Sequence, residues 1–476
     1  MFRVPDSTIV TERPPVPVAV SGDGTVDRCC GAGRWSPEGA SMAVEQARAG
    51  RQARATNTRQ ARRPHVAIAV VNLPVEKDRR VIRECLALES AGYRVTVICP
   101  RGERRLRHLP GSRDTAIRSF RQPFAGDGVL SFAAEFAWAF LWVAWHLAVL
   151  VLRHRVVAAQ VCNPPDVFWP LAMVMRATGR GWIFDHHDLS PELYACKTAT
   201  PRPVVTRLLT WFERLSMRFA SEVVSTNESY RQIALTRGRC RPERVTIVRN
   251  GPAAGEIAAP TSADAAGDRR IVYVGVINEQ DHVDRAVLAA ERLTARRGRD
   301  GWELVIAGDG ECLPVLRAMV DERGLGDVVR FTGWLQAPEV DALLRGATLG
   351  IQPDVFSDMT NLSTMAKTVE YMARGLPVVA VDLLETRRTA GDAGRYVPTG
   401  SADEFAEALD ELLDDQSRLA RMRAVARERF TSVLAWEHQA AAYLDAWRRV
   451  VPLPVATAAA QPADRAVPVA SPRHSS

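Results

Sequence analysis

From residue 65 onward the chain alternates short runs that are apolar throughout with longer stretches whose apolar positions recur every three or four residues. "HVAIAVV" (65–71), "RVTVIC" (94–99), "VVAAQVC" (156–162), "GWIFD" (181–185), "SEVVST" (221–226) and "RVTIVRN" (244–250) have strand length. Helical stretches separate most of them. "DRRVIRECLALESAGY" (78–93), for example, puts Val81, Ile82, Cys85, Leu86 and Leu88 largely on one face and ends at Gly92. Strands with no polar alternation are buried on both faces, which predicts parallel sheets covered by helices. The Ala/Gly/Pro/Ser-rich stretch 251–268 reads as a linker. The alternation then restarts with "RRIVYVGV" (269–276), "WELVIAGDGE" (302–311), "VVRFTG" (328–333), "ATLGIQP" (347–353) and "LPVVAVD" (376–382). The expected fold class is α/β, with two parallel-sheet domains at 64–250 and 269–430 and a C-terminal helix at 431–452. Ligands of such sheets sit beyond the carboxyl ends of the strands, so the cleft between the domains is the expected site.

One segment breaks the pattern. "VLSFAAEFAWAFLWVAWHLAVLVLR" (129–153) is apolar except for Glu135 and His146 before its closing Arg153. Trp138, Trp142 and Trp145 fall at helical spacing, and Arg153 and Arg155 follow. A core helix and an interfacial helix with its Trp face on lipid fit this pattern equally. A membrane span fits least, because strands on either side of it must share one sheet.

Composition narrows the class. The chain has 476 residues, 47% hydrophobic and 25% charged, with a net charge of +7. Residues 1–63 form a basic arm poor in apolar residues and 453–476 a low-complexity tail, so both are expected to be disordered. Such an arm can touch nucleic acid or anionic lipid; a solvated tail, with no nucleic-acid partner, is the reading adopted. The start lacks the apolar core of a secretory leader. The eight Cys show no metal-type spacing. Reduced thiols and a cytoplasmic location are therefore expected.

Candidate chemistry collects at strand ends. Gly275 ends the first strand of the second half, where a phosphate could approach the backbone and a helix N-terminus; "NEQDH" with Gln280 follows it. Gly308, Asp309 and Gly310 form a second glycine turn. Neither a dinucleotide fingerprint nor a P-loop is present. "DHHDLSPELY" sets Asp185, His186, His187 and Asp188 past a strand end, where polar residues are costly unless they meet a ligand or each other. Asn163 and Asp166 follow another. Metal binding there lacks a further cluster at ligand spacing, so no metal and no cofactor are expected. Lys367 is one of three Lys against 59 Arg. It stands three residues before Glu370, on a helix read as 363–373 with Ser363 or Thr364 as N-cap. A surface ion pair with Glu370 is the plain reading. The buried strand that follows and the polar loop that precedes favour a phosphate-facing ammonium instead.

"RFTGWLQAPEVDALLRGATLGIQPD" and "STMAKTVEYMARGLPVVAVDLLETRRTAGDAGRYV" resemble the donor half of family-4 retaining glycosyltransferases of the GT-B fold. "DHHDLSPELY", "STNESYRQIALTRG" and "RVTIVRNGP" resemble the matching acceptor half. The resemblance covers roughly residues 65–450. It implies two Rossmann-like domains facing a central cleft and a nucleotide-sugar donor. It implies a glycan or lipid-linked acceptor, and a peripheral place at the inner membrane face in envelope polysaccharide or glycolipid assembly. By the same resemblance Glu370 contacts the ribose, Lys367 faces the diphosphate, and His187, with Asp188 beside it, lies near the transferred sugar. Gly275, Gln280, Gly308, Asp309, Gly310, Ser363 and Thr364 complete the donor side, and Asn163, Asp166, His186, Asn227 and Asn250 line the cleft. Three departures stand out: Leu362 replaces the first acidic residue of the usual pair, "NEQDH" replaces the usual Arg and Lys after Gly275, and "NLPVEKDRRV" replaces a glycine-rich loop. The alternatives are a sugar-nucleotide epimerase of the same fold and an inactive relative serving as a binding or assembly subunit.

Overall fold

The computed structural model describes residues 63–123, 129–198, 200–257 and 269–453. The expected arm, nearly all of the tail and most of the linker lie outside the described residues. The first half is a seven-stranded, all-parallel sheet built from β1 (His65–Ala69), β2 (Arg94–Pro100), β3 (Ala116–Phe120), β4 (Ala158–Cys162), β5 (Gly181–His186), β6 (Glu222–Ser225) and β7 (Val245–Ile247). Its order is β3-β2-β1-β4-β5-β6-β7. The second half adds β8 (Arg269–Val274), β9 (Trp302–Ala307), β10 (Val329–Gly333), β11 (Leu349–Gln352), β12 (Val378–Val381) and β13 (Gly394–Val397), in the order β10-β9-β8-β11-β12-β13. Both are doubly wound. In each, the first strand is flanked by the second and the fourth, so a crevice opens beyond its carboxyl end. The central strands β1 and β4 are buried at every residue, polar His65 and Gln160 included.

Two findings differ from the expectation. The C-terminal helix runs over Trp436–Val450, within the expected 431–452, and its docking was not foreseen. It returns to the first half, where Trp436, Tyr443 and Trp447 join the core with Tyr93, Val66 and Val95. The chain crosses where the linker begins: Trp436 N–H donates to the Pro252 carbonyl at 3.1 Å. A Cβ on Gly251 would meet the Leu434 carbonyl oxygen at 2.7 Å, so glycine alone permits this approach. The second difference is the apolar segment, a helix over Val129–His154. Its Ala139, Val143, Leu147 and Leu150 are buried in the core with Phe168 and Met217. Trp138 and Trp142 also pack against that core, whereas Trp145 is 64% exposed. The three Trp therefore do not form one exposed face, because the helix turns two of them partly toward the sheet.

Candidate active site

In the second half the glycine turns after β8 and β9 interlock main chain to main chain. A Cβ on Gly308 would lie 1.8 Å from the Gly275 carbonyl oxygen, and one on Gly310 would lie 2.3 Å from that of Ile277. Gly308 also has a φ of 152°. Asp309 is exposed and accepts from the Gly310 N–H at 2.8 Å. Gln280 is half-buried in the single turn Glu279–Asp281. Lys367 reaches the same corner and is 8% exposed. Its Nζ lies 3.0 and 3.2 Å from the two Asp354 oxygens and 3.4 Å from Asp281 Oδ1, and stands over the Tyr273 ring. Its Cε is 3.4 Å from where a Gly275 Cβ would be. Burial opposes its charge, but Asp354, Tyr273 and Asp281 outweigh burial and keep it protonated beyond the ordinary lysine range.

The helix carrying Lys367 starts later than its sequence suggests, at Ala366, with Met365 as N-cap and no side-chain cap. Ser363 and Thr364 are spent on the other half. Ser363 Oγ lies 2.9 Å from the Tyr230 hydroxyl, and Asn227 Nδ2 donates to Thr364 Oγ1 at 3.2 Å and to the Leu362 carbonyl at 2.9 Å. Asn227, read as a cleft residue, is therefore a clasp between the halves. Glu370 does not pair with Lys367. It takes Arg374 one turn on and meets Arg79 of the first half at 3.9 Å.

In the first half, fully buried Asp185 is a hub. Arg80 forks onto it with Nη2 at 2.8 Å and Nε at 3.2 Å, and spends Nη1 on the Val248 carbonyl and Asn250 Oδ1. His187 Nε2 lies 2.6 Å from Asp185 Oδ2 and Gln160 Nε2 lies 3.0 Å from it. Gln160 is oriented from behind. Its Oε1 accepts from the Tyr443 hydroxyl at 2.6 Å and from Trp447 Nε1 at 3.3 Å, so its amide nitrogen must face Asp185 and Glu84. One guanidinium faces two buried carboxylates. Burial opposes ionisation of Asp185, yet Arg80 and His187 outweigh it and hold the carboxyl far below its usual range. Burial, with Asp185 adding, pushes Glu84 well above. Asp185 thus engages His187 through Nε2 and orients the ring.

The other first-half candidates divide. Asn163 is saturated: it donates to Asp166 and to the Asp188 carbonyl, and accepts from the His187 and Asp188 N–H groups. It clamps the loop that carries His187 and Asp188 and has nothing left for an acceptor. Asp166 is buried on Asn163 and Ser190, and burial with nearby Glu213 raises it to about 7. His186 is fully buried between the Phe184 and Tyr230 rings and donates toward Glu213, away from the cleft. Asp188 stays half-buried beside His187, its carboxyl raised by burial. Asn250 is exposed, its oxygen anchoring Arg80.

Comparison with known proteins now decides the class. Residues 78–251 match the family model "Glycosyl transferase 4-like domain" and residues 268–415 match "Glycosyl transferases group 1", together more than half of the chain. This chain is a GT-B glycosyltransferase. It is similar to the α-D-kanosaminyltransferase of Streptomyces kanamyceticus, with 29% identity over 302 residues that cover 60% of this chain and 76% of that one. Sucrose-phosphate synthase from Thermosynechococcus elongatus shares the fold at a TM-score of 0.66 and 16% identity, covering 81% of this chain and 99% of that one. Anabaena Alr3699/HepE, solved in complex with UDP and glucose, does so at a TM-score of 0.60 and 13% identity, covering 81% and 100%.

The glycosyltransferase thus carries a buried cation held by carboxylates in each half, and sequence reasoning found Lys367 but missed Arg80 and several partners of both. Arg80 hid among 59 Arg; its signal was Glu84 one turn on, on a helix whose other positions on that face are apolar. Asp354, Gln160 and Tyr443 gave none, because a single polar residue beside a strand or in a helix is ordinary. Cys162, Asp185 and His187 offer ligand atoms within 4.8 Å of one another and could in principle hold a cation. Arg80 already fills that corner with positive charge, and burial keeps the Cys162 thiol protonated, so the donor set suits a metal poorly.

Proposed function

We propose that this transferase moves a glycosyl unit from a nucleoside-diphosphate sugar to an acceptor hydroxyl, with retention and without a metal. The observation that carries the reading is Lys367, a buried ammonium set against the Gly275 turn at the crevice of the second sheet. A compact cation beside backbone that can be approached closely suits a leaving diphosphate. Asp354 offsets that charge in the ligand-free chain, and burial already pushes its carboxyl upward. An arriving diphosphate favours its protonation further and frees the ammonium. Glu370, at the mouth of this corner, takes the ribose hydroxyls. Across the cleft, His187, oriented by Asp185, receives a hydrogen bond from the sugar, and the leaving phosphate guides the acceptor to the same face. That the Anabaena neighbour was solved with UDP and glucose supports a diphosphate donor. The acceptor is a glycan or lipid-linked glycan made on the cytoplasmic side in envelope assembly.

The test is a panel of nucleotide sugars with and without lipid-linked acceptors. Release of nucleoside diphosphate is expected, increased by acceptor. A new sugar nucleotide without release would favour an epimerase. Silence across the panel from folded protein would favour an inactive assembly subunit.

A further inference from the structure

Three of the helices that cover one face of the first sheet lie side by side: Val129–His154, Trp169–Ala177 and Pro203–Phe219. They share one core, with Phe140 stacked on Phe168 and Trp169 against Trp211 and Phe219. Their outer sides therefore point the same way. A helix layer over a sheet normally turns a polar face of mixed charge to water, but this one turns out large apolar side chains with charge of one sign. The first helix exposes Leu141, Trp145 and Leu152, at 63%, 64% and 81%. The second exposes Met173 and Val174, and the third exposes Val204, Leu208 and Trp211 at helical spacing. Among the described residues, every exposed charge on these helices is an arginine: Arg153, Arg176, Arg207, Arg214 and Arg218. No exposed Asp, Glu or Lys interrupts them. At the layer's edge a recess of about 300 Å³ is lined by Arg176, Arg218, Arg239, Arg241 and Arg244, with no carboxylate among its lining residues.

We propose that this face docks on a membrane of anionic phospholipid. Leu141, Trp145, Leu208 and Trp211 enter the interface, and the arginines take headgroup phosphates. A generic protein partner would not call for a charge set of one sign, without an exposed carboxylate. An anionic lipid surface does, since guanidinium forks match phosphate and aromatic residues favour the interface. The first helix is long and apolar enough to span a bilayer by length and composition. Its buried stripe of Ala139, Val143, Leu147 and Leu150 ties it to the sheet, so it lies on the membrane as part of a folded domain. The proposal stands independently of the donor chemistry.

The experiment is flotation of the full chain with phosphatidylcholine vesicles, with and without phosphatidylglycerol. The unmodified chain should float with the anionic vesicles and far less with the neutral ones, and high salt should weaken binding only partly. Leu141→Ser with Trp145→Ser and Leu152→Ser should abolish flotation. Arg207→Gln with Arg214→Gln and Arg218→Gln should weaken it on the order of a hundredfold. Both triple variants should keep melting temperature and nucleotide-sugar hydrolysis, since none of these residues touches the site. No flotation of the unmodified chain, or flotation that neither variant changes, would overturn the proposal. So would a chain that fails to float but self-associates through this face, with the same substitutions yielding monomers; that would make a second copy the occupant.

Discussion

The two halves share a topology and differ in where they keep their charge. Each sheet is doubly wound, and each opens a crevice at the carboxyl end of its first strand. In the first half, charge is sunk behind the strand ends: Arg80, Glu84, Asp185 and Gln160 are all nine-tenths buried or more, and the C-terminal helix locks Gln160 from behind. In the second half the surface of the crevice is backbone at glycine turns, with Lys367 behind it held by Asp354. A buried network fixes geometry, and backbone with one compensated cation leaves room for a charged ligand to rearrange it. The first half is thus built to hold a side chain still, and the second leaves its crevice open to a charged ligand.

The sharpest way to break that contrast is to remove each cation. Arg80→Met leaves Asp185 buried without its partner and strands the Val248 carbonyl, so it should cost about 3–5 kcal/mol in denaturant unfolding. Asp185→Asn should not restore it, because Glu84 and His187 still depend on the same centre. In the second half, Lys367→Met should also destabilise, but Lys367→Met with Asp354→Asn should recover the lost stability while transfer stays slowed by about 3 kcal/mol in its barrier. Asp354→Asn alone should tighten nucleoside diphosphate binding. If the double variant turned over normally, Lys367 would carry no catalytic charge. If Arg80→Met were neutral, the first network would not be structural.

Much of this was legible before any coordinates. Eleven of the thirteen strands coincide with apolar runs in the chain. The two that do not, β3 and β13, are both edge strands, and their half-buried "AIRSF" and "GRYV" carry too few apolar residues to stand out. The rarity of Lys brought Lys367 into view, and strand-end location brought His187 and the glycine turns. It also brought in Asn163 and His186, which sit at strand ends yet turn inward. What sequence could not supply was pairing at long range. Gln160 and Tyr443 are 283 residues apart, and nothing local marks either. The start of the Lys367 helix was misplaced for a similar reason: Ser363 and Thr364 look like caps until Tyr230 and Asn227 claim them from across the cleft.

The first half's inward-turned acid also makes a testable contrast with pH. Asp166 titrates at about 7 in the fold, raised by burial and by Glu213, against about 3.9 in an unfolded chain. The fold therefore favours its protonated form. That contribution is complete below about pH 4 and is lost as pH rises through 7. Relative to Asp166→Asn, the unmodified chain should lose about 3 to 4 kcal/mol of stability between those limits. A stability difference that stays flat across this window, read by urea unfolding at several pH values, would mean Asp166 is ionised throughout.

The smallest expected effect bears on where the halves meet. Glu370 stands at the mouth of the second crevice, 23% exposed, with Arg374 one turn away and Arg79 reaching it from the first half at 3.9 Å. The contact with Arg79 is exposed and long, so it should add well under about 1 kcal/mol to stability. A ribose contact at Glu370 would be made about equally before and at the transition state, and its loss should appear in KM more than in kcat. Glu370→Gln keeps the shape and one acceptor oxygen, so the expected change is a several-fold rise in donor KM with kcat nearly constant. Arg79→Gln should leave both nearly unchanged if the ion pair only bridges the resting halves. If Arg79→Gln instead raised KM as much as Glu370→Gln, Arg79 would be supplying the positive charge missing after Gly275, and the donor corner would draw on both halves. If kcat alone collapsed in Glu370→Gln, the carboxylate would be acting on the reacting centre, and the ribose would have to lie elsewhere.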